Sequence, residues 1–390
     1  MTVAIETDDR RALFESLDRL LHDVVAPRLA EMDVTARFPH EVYRAMADLG
    51  LFALWIPERF GGLEGDLRTI LLAVERIARV SPACALMLAN CGDGAGPIVQ
   101  SGSETVRRTY LPGIASGDVI PCFALTEPAA GSDAGAITTT AVRDGDGYRI
   151  EGRKVFCTNG SVGGVYVVFA KTDPEAGSRG ITAFAVPRDA EGLSIGRDED
   201  LIGLRGSPAS EVVLEGVRVP EENRLGEEGQ GFRVAMATLD EARLNAAAAS
   251  LGIAGAAVEH AVAYARERVQ FGVPVIQHQG LSFLLAEMTT ELAAGWALFE
   301  RALRLLEHER GGEAGTYAAM AKLFCTDLGM RAAVDAVQVF GGYGLSREFP
   351  VERLMRDAKA FQIFDGTNQI QKLIIGRHLD RFGVPVRADL

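Results

Sequence analysis

The stretch Phe123-Ala124-Leu125-Thr126-Glu127-Pro128-Ala129-Ala130-Gly131-Ser132-Asp133 stands where the sequence changes texture, and that change decides the fold class. Before it, apolar residues recur at helical spacing. Leu13, Phe14, Leu17, Leu20, Leu21, Val24 and Val25 form one amphipathic run, with Pro27 near its end. Ile70, Leu71, Leu72, Val74, Ile77 and Ala78 form another, and Pro57 with Gly61-Gly62 marks a loop between helical segments. From Pro121 onward the text becomes short β-branched runs, at 137–142, 163–170, 181–186 and 211–219. Asp144-Gly145-Asp146-Gly147 is a hairpin turn signal, because glycine accepts a positive φ.

Past residue 231 the text is helical again. Ala- and Leu-rich segments at 243–268, 279–309, 315–340 and 368–381 read as long helices, two of them separated by Gly311-Gly312. No fixed-period repeat is visible. Helices, then strands, then helices give an α+β chain with segregated elements. The expected domains are a helical one over 1–120, a β domain over 121–230 and a helical one over 231–390. A chain of 390 residues suits such a division.

Composition narrows the function. A net charge of -13 argues against nucleic-acid binding, which needs clustered Lys and Arg. Cys84, Cys91, Cys122, Cys157 and Cys325 are scattered without paired spacing and read as buried, reduced thiols, which fits a cytoplasmic protein. The six histidines show no ligand spacing, so no metal site is expected. The opening Met1 to Asp9 carries early acids and no apolar core, so no signal peptide is expected. The most apolar run, 246–258, is short for a bilayer and rich in Ala and Gly, so it reads as a tightly packed helix and no membrane insertion is expected.

Several strings carry chemistry. A strand running into a Pro- and Gly-containing loop with free hydroxyls, as at 123–133, can hold a planar polar ring and a phosphate or thioester. Gly152-Arg153-Lys154-Val155-Phe156-Cys157-Thr158-Asn159-Gly160 offers an aromatic face and a hydroxyl. Leu225 to Phe232 contains glycines without the spacing of a dinucleotide fingerprint, and no βαβ pattern surrounds it, which argues against a nicotinamide enzyme. Asp240 and Arg243, three apart, share a helix face where the first C-terminal helix should begin. Arg268 can grip a pyrophosphate with its fork of donors. The glycines of Gln338-Val339-Phe340-Gly341-Gly342-Tyr343-Gly344 allow close backbone approach. The last string is Phe361-Gln362-Ile363-Phe364-Asp365-Gly366-Thr367-Asn368-Gln369-Ile370-Gln371.

In this order and spacing, the strings resemble the flavin-dependent acyl-CoA dehydrogenases over nearly the whole chain. The resemblance implies an N-terminal helical domain, a middle β-barrel-like domain and a C-terminal four-helix bundle. It implies bound FAD, an acyl-CoA substrate, an electron-transfer flavoprotein as acceptor, and a homo-oligomer, a dimer of dimers. Phe123, Leu125, Thr126 and Ser132 would line the flavin, with Ser132 also reaching the CoA arm. Phe156 would pack on the ring, in place of a frequent Trp, and Thr158 would donate to it. Arg268, Phe271 and Gln279 would serve the cofactor across the dimer, with Gln338 and Gly342 at its phosphate and adenine. Thr367, Gln369 and Gly366 would complete the flavin and thioester site. Asp240 would touch CoA, and Arg243 would lie beside the catalytic acid.

That acid departs from the family pattern: Asp365 stands where glutamate is usual. In the family reaction a carboxylate removes the α-proton of a thioester while hydride leaves the β-carbon, and hydrogen bonds to the thioester oxygen stabilise enolate character. Aspartate is one methylene shorter, which withdraws the carboxylate by roughly 1.5 Å. A misplacement of about 1 Å can cost on the order of 100-fold in rate. Three accounts stand. The backbone brings Asp365 forward, or a bulkier acyl group suits a short base, or another acid serves. Glu241 lies two residues before Arg243, whereas relatives with a base in this helix carry it one residue before, where this chain has Ala242. Asp93, in Asn90 to Pro97, is either a loop or helix-cap acid or a second carboxylate facing a polar or cyclic acyl group. In the latter role it could take a more distant proton in a 1,4-elimination on a cyclic enoyl-CoA. The expected substrate is a short, branched or cyclic acyl-CoA. The same chemistry on a carrier-protein thioester is the alternative, and a non-enzymatic flavin scaffold is disfavoured by the retained carboxylate.

Overall fold

A computed structural model describes residues 7–308 and 313–384. The Gly311-Gly312 break therefore lies outside the described residues, as does most of the opening segment.

The N-terminal helices are α1 (Thr7–Leu20), α2 (Leu29–Thr35), α3 (His40–Asp48), α4 (Leu67–Val80), α5 (Pro82–Ser101) and α6 (Glu104–Ala115). The middle region carries β1 (Pro121–Ala124), β2 (Thr140–Asp144), β3 (Gly147–Thr158), β4 (Val165–Lys171), β5 (Ile181–Pro187), β6 (Leu193–Asp198), β7 (Ala209–Pro220) and β8 (Arg224–Leu225). The C-terminal helices are α7 (Gly231–Glu267), α8 (Gln279–His308), α9 (Glu313–Phe340), α10 (Val351–Phe361) and α11 (Asn368–Phe382), with the short pair β9 (Val269–Gln270) and β10 (Val273–Pro274) after α7. The architecture is α+β: helices, a sheet, then a helical bundle.

The chain forms two compact units. The first comprises Met1–Ile70, Leu86–Leu201 and Arg205–Leu239. Its sheet runs β6-β7-β3-β2-β4-β5-β8, with β1 paired in parallel to β4. The hairpin from β2 to β3 closes with Asp144 opposite Gly147, and Gly145 takes φ 64° at the turn. One face buries Tyr148, Ile150, Tyr166, Val168, Phe184, Val212 and Leu214, the alternate residues of their strands. The pairing of β3 with β7 is interrupted twice, between Ile150 and Gly152 and between Lys154 and Cys157. The second bulge is what turns Phe156 out of the ladder.

The second unit comprises Leu71–Ala85, Ile202–Leu204 and Asp240–Leu390. Helix α9 is its centre, and α8, α10 and α11 pack against it. Small residues let its helices approach closely. A Cβ on Gly329 would come within 3.0 Å of the Ser250 carbonyl oxygen, and one on Gly295 within 2.8 Å of Leu328.

Two local expectations need correction. Helix α7 begins at Gly231, twelve residues before 243, so Asp240 and Arg243 lie inside the helix and not at its start. The intrahelical ion pair explains why charges there do not break it. Asp93 belongs to neither a loop nor a cap, because it sits in the interior of α5. The glycines beside it give the sequence the look of a loop. They are needed for packing, since a Cβ on Gly92 would meet Trp55 at 2.6 Å and one on Gly94 would meet Pro121 at 2.7 Å. Helix α7 is long and apolar enough to cross a membrane, yet 78% of its most apolar window is buried in protein, as a core helix requires.

Candidate active site

In the first unit, the loop after β1 is held by a buried ion pair. Glu127 accepts from the backbone N–H groups of Thr138 and Thr139 at 2.6 and 3.0 Å, from the Thr138 hydroxyl at 2.7 Å, and from Lys154 Nζ at 2.8 Å. Lys154 Nζ also donates to the Leu125 carbonyl at 3.2 Å, and the Val155 N–H donates to the Thr126 carbonyl at 2.9 Å. Burial alone would push the Glu127 carboxyl up, but Lys154 and the N–H donors win and hold it down at about 2. Burial lowers Lys154 to about 8 against the pull of Glu127. The result is a loop fixed from beneath, with Leu125 buried, Phe123 and Thr126 partly open, and Ser132 exposed at its tip.

Phe156 stands on the adjoining bulge with φ 54° and is 56% exposed, an unusual state for phenylalanine. Thr158, at the end of β3, is partly exposed. The sequence reading missed Glu127 and Lys154. The signal was present: Lys154 occupies an inward-facing strand position, where a lysine needs a partner.

In the second unit, Asp365 occupies the turn between α10 and α11. It takes φ 54°, and Gly366 follows with φ 83°, so two consecutive residues are left-handed. Aspartate tolerates that region better than most side chains, and glycine freely. The Gln371 side-chain amide donates to the carbonyls of Asp365 and Gly366 at 3.3 and 2.7 Å. Thr367 caps α11, its hydroxyl accepting from the Ile370 N–H, while Gln369 is exposed on the first turn.

Two buried cations face this carboxylate. Arg243 is ion-paired to Asp240 on α7. Lys322, on α9, donates to the Gly366 carbonyl and to Asn368 Oδ1, each at 2.9 Å. Burial raises the Asp365 carboxyl above the ordinary aspartate range, and Lys322 and Arg243 pull it back down. Burial likewise raises Asp240 against the pull of Arg243. The Nε of Arg243 and Oε1 of Gln371 are buried with no hydrogen-bond partner among the described residues. Lys322 is a third residue that the sequence reading missed. Within α9 it looks like one more helical lysine until the fold shows it facing inward.

Ala242, the position directly before Arg243, is fully buried, and Glu241 is partly buried. Asp93, partly buried on α5, belongs to the first unit.

Elsewhere in the second unit, a cavity of about 510 Å³ is lined by Arg268, Gln270, Phe340, Gly341, Gly342 and Tyr343 among others. Arg268 lies over the Tyr343 ring and has no carboxylate partner among the described residues. Nothing would obstruct a Cβ on Gly341 or Gly342, so the backbone there is open to close approach. Phe271 is 95% exposed, with Gln279 exposed at the start of α8 and Gln338 near the end of α9. A dinucleotide cofactor needs an unpaired cation, an open glycine backbone and exposed aromatic faces. The chain offers all three, so its residues fit FAD.

Comparison with known proteins agrees. Profiles of the acyl-CoA dehydrogenase N-terminal, middle and C-terminal domains match residues 7–118, 122–217 and 229–379. An acyl-CoA dehydrogenase of Bacillus subtilis is 45% identical, covering 91% of this chain and 93% of its own. The cyclohexane-1-carbonyl-CoA dehydrogenase of Geobacter metallireducens is 41% identical, covering 96% and 98%. The caffeyl-CoA reductase-Etf complex subunit CarC of Acetobacterium woodii is 41% identical, covering 89% and 91%. The butyryl-CoA dehydrogenase structure from Megasphaera elsdenii superimposes with TM-score 0.93 at 38% identity, covering 97% and 99%.

Fold, site chemistry and relatives define an FAD-dependent oxidoreductase acting on CH–CH donors. The chain belongs to the acyl-CoA dehydrogenase family.

Proposed function

We propose that this enzyme introduces an α,β double bond into a short, branched or cyclic acyl-CoA, with Asp365 as the base. The supporting observation is the placement of Asp365 on a left-handed turn beside Arg243 and Lys322. The carboxylate takes the α-proton and ends as the acid. Bound FAD would supply the hydride-acceptor chemistry for the β-hydrogen, which leaves with its electron pair. Phe123, Leu125, Thr126, Phe156 and Thr158 are the residues offered to the flavin ring, and Ser132 to ring and CoA arm. Arg268, Phe271, Gln279, Gln338 and Gly342 are offered to its phosphates and adenine. Thr367 and Gln369 serve the same cofactor, while Asp240 and Gly366 contact the thioester substrate.

A base raised above the usual aspartate range is better matched to neutral pH than an ordinary carboxylate. The two cations keep it from rising so far that it would be protonated there. Arg243 thus acts on the base through charge.

A cyclic substrate is favoured by the shorter base and by the likeness to a dehydrogenase named for cyclohexane-1-carbonyl-CoA. For such substrates Asp93 is the candidate second carboxylate, and a 1,4-elimination on a cyclic enoyl-CoA is the companion reading. Likeness to a subunit named for an Etf complex supports an electron-transfer flavoprotein as acceptor. The working form is a homo-oligomer.

The test is anaerobic bleaching of the purified yellow enzyme with straight, branched and cyclic acyl-CoAs. Asp365→Asn is expected to retain FAD and lose bleaching with every substrate. Full bleaching by that variant overturns the assignment and directs attention to Asp93 and Glu241.

A further inference from the structure

We propose that Lys322 is a positioning residue for the reaction: its ammonium anchors the left-handed turn that carries Asp365 and fixes the charge environment of that base. The proposal rests on Asp365 being the base. Lys322 sits in the N-terminal half of α9 and is 0% exposed. A buried ammonium gives up its hydration, so its presence needs a reason.

Hydrogen bonding is only part of that reason. The Gly366 carbonyl already accepts from the neutral Gln371 amide at 2.7 Å, so that acceptor does not require an ammonium. Nor does a contact ion pair repay the burial, since no carboxylate lies within ion-pairing distance of Lys322 among the described residues. What Lys322 alone adds to the turn is a positive charge.

The charged groups that bear on that turn come from two helices. Lys322 and Asp327 are on α9, and Arg243 and Asp240 are on α7. Arg243 is neutralised in large part by its contact with Asp240. Asp327 is engaged by neutral donors, the amides of Asn368 at 2.7 Å and Gln362 at 2.6 Å. Of the two cations that pull Asp365 down, Lys322 is therefore the stronger and Arg243 the weaker. Lys322 acts with the proton transfer as well as before it. When the carboxylate takes the substrate α-proton, the negative charge that partly offsets the buried ammonium is lost. That loss opposes an over-basic Asp365 and favours return of the proton to solvent after turnover.

The experiment compares the wild-type holoenzyme with Lys322→Met, Lys322→Gln and Lys322→Arg. It follows kcat and KM against pH, and the pH dependence of the protonated-carboxyl infrared band that Asp365→Asn removes. Removing an opposite charge near a carboxylate moves its titration by about 1–3 pH units. In Met and Gln variants the acidic limb of kcat and the infrared titration are expected to move together to higher pH by about one unit. Activity at pH 6 should fall about fivefold, recover at high pH, and leave KM within about twofold. Lys322→Arg should restore the limb.

Lys322→Gln keeps a donor for both acceptors and carries the test if the Met variant does not fold. A uniform loss of kcat at every pH, with the infrared titration unmoved, overturns the proposal and leaves Lys322 a packing element. An active Asp365→Asn would instead overturn the base assignment, so the two failures are distinguishable.

Discussion

At the scale of single residues, the site depends on backbone conformations that few side chains accept. Asp365 and Gly366 are both left-handed, and a Cβ on Gly366 would lie 2.9 Å from the Gln371 amide that braces the turn. The turn therefore fixes where the carboxylate starts, and side-chain length fixes how far it reaches. Asp365→Glu extends that reach by roughly 1.5 Å. It is expected to shift the kcat/KM ratio toward straight-chain over cyclic acyl-CoAs by about tenfold or more, measured by competing substrates. An unchanged ratio would show that the acyl preference is set elsewhere. The identity of Asp365 was legible in the sequence because an eleven-residue string surrounds it. Its conformation was not, because αL geometry is imposed by the Lys322, Asn368 and Gln371 contacts, which join positions 44 and 46 residues apart as well as neighbours.

At the scale of elements, strands and hairpin were readable from alternation and from Asp144-Gly145-Asp146-Gly147, since both signals are local. The start of α7 was not. Its first turns hold Gly231 and a cluster of charges that read as a boundary, and only tertiary packing carries the helix through them. Helix α10 was also passed over. Its apolar residues Val351, Leu354, Ala358 and Phe361 are correctly spaced, but it is only 11 residues long and lies between two loops.

The loop after β1 stands on the Glu127–Lys154 pair, whose side chains are 3% and 0% exposed. Glu127→Ala strands a buried ammonium and is expected to lower stability by about 3–5 kcal/mol in chemical unfolding. A loss below about 1 kcal/mol would show that water or rearrangement replaces the carboxylate. The sign with pH follows from the depressed Glu127 carboxyl. Its contribution is complete above the unfolded value near 4.5 and is lost as pH falls toward about 2. Wild-type stability should therefore decline across that window more steeply than that of Glu127→Gln, as read by denaturant midpoints.

At the scale of the whole molecule, the chain carries a net charge of -13 and yet exposes several large apolar side chains on its C-terminal helices and loops. Phe271 is 95% exposed, and Phe283, Leu345 and Phe382 are also open. Exposed apolar surface of that kind marks association, while like charge opposes it. We expect a homo-oligomer whose assembly strengthens as salt rises from low to physiological ionic strength, because screening relieves the repulsion. Light scattering against salt reads this directly. Phe271→Ser is expected to weaken both assembly and FAD retention, and a variant that keeps both would remove Phe271 from the cofactor contacts. Helix order and the family of the chain were plain from the sequence. Which aromatic residues remain open was not, because exposure is a property of what packs nearby and not of the residue.

The short side chain at 365 has one further consequence, and it concerns disorder and not distance. Aspartate has one fewer rotatable bond than glutamate, and here it is mounted on a turn braced by an amide and an ammonium. Little motion is left to freeze when substrate arrives, so the entropic part of the barrier should be small. As the proposed base, Asp365 would not search for its proton. The acyl group would have to bring the proton to it, and on the proposed assignment the shape of the substrate would be the variable on which the rate depends.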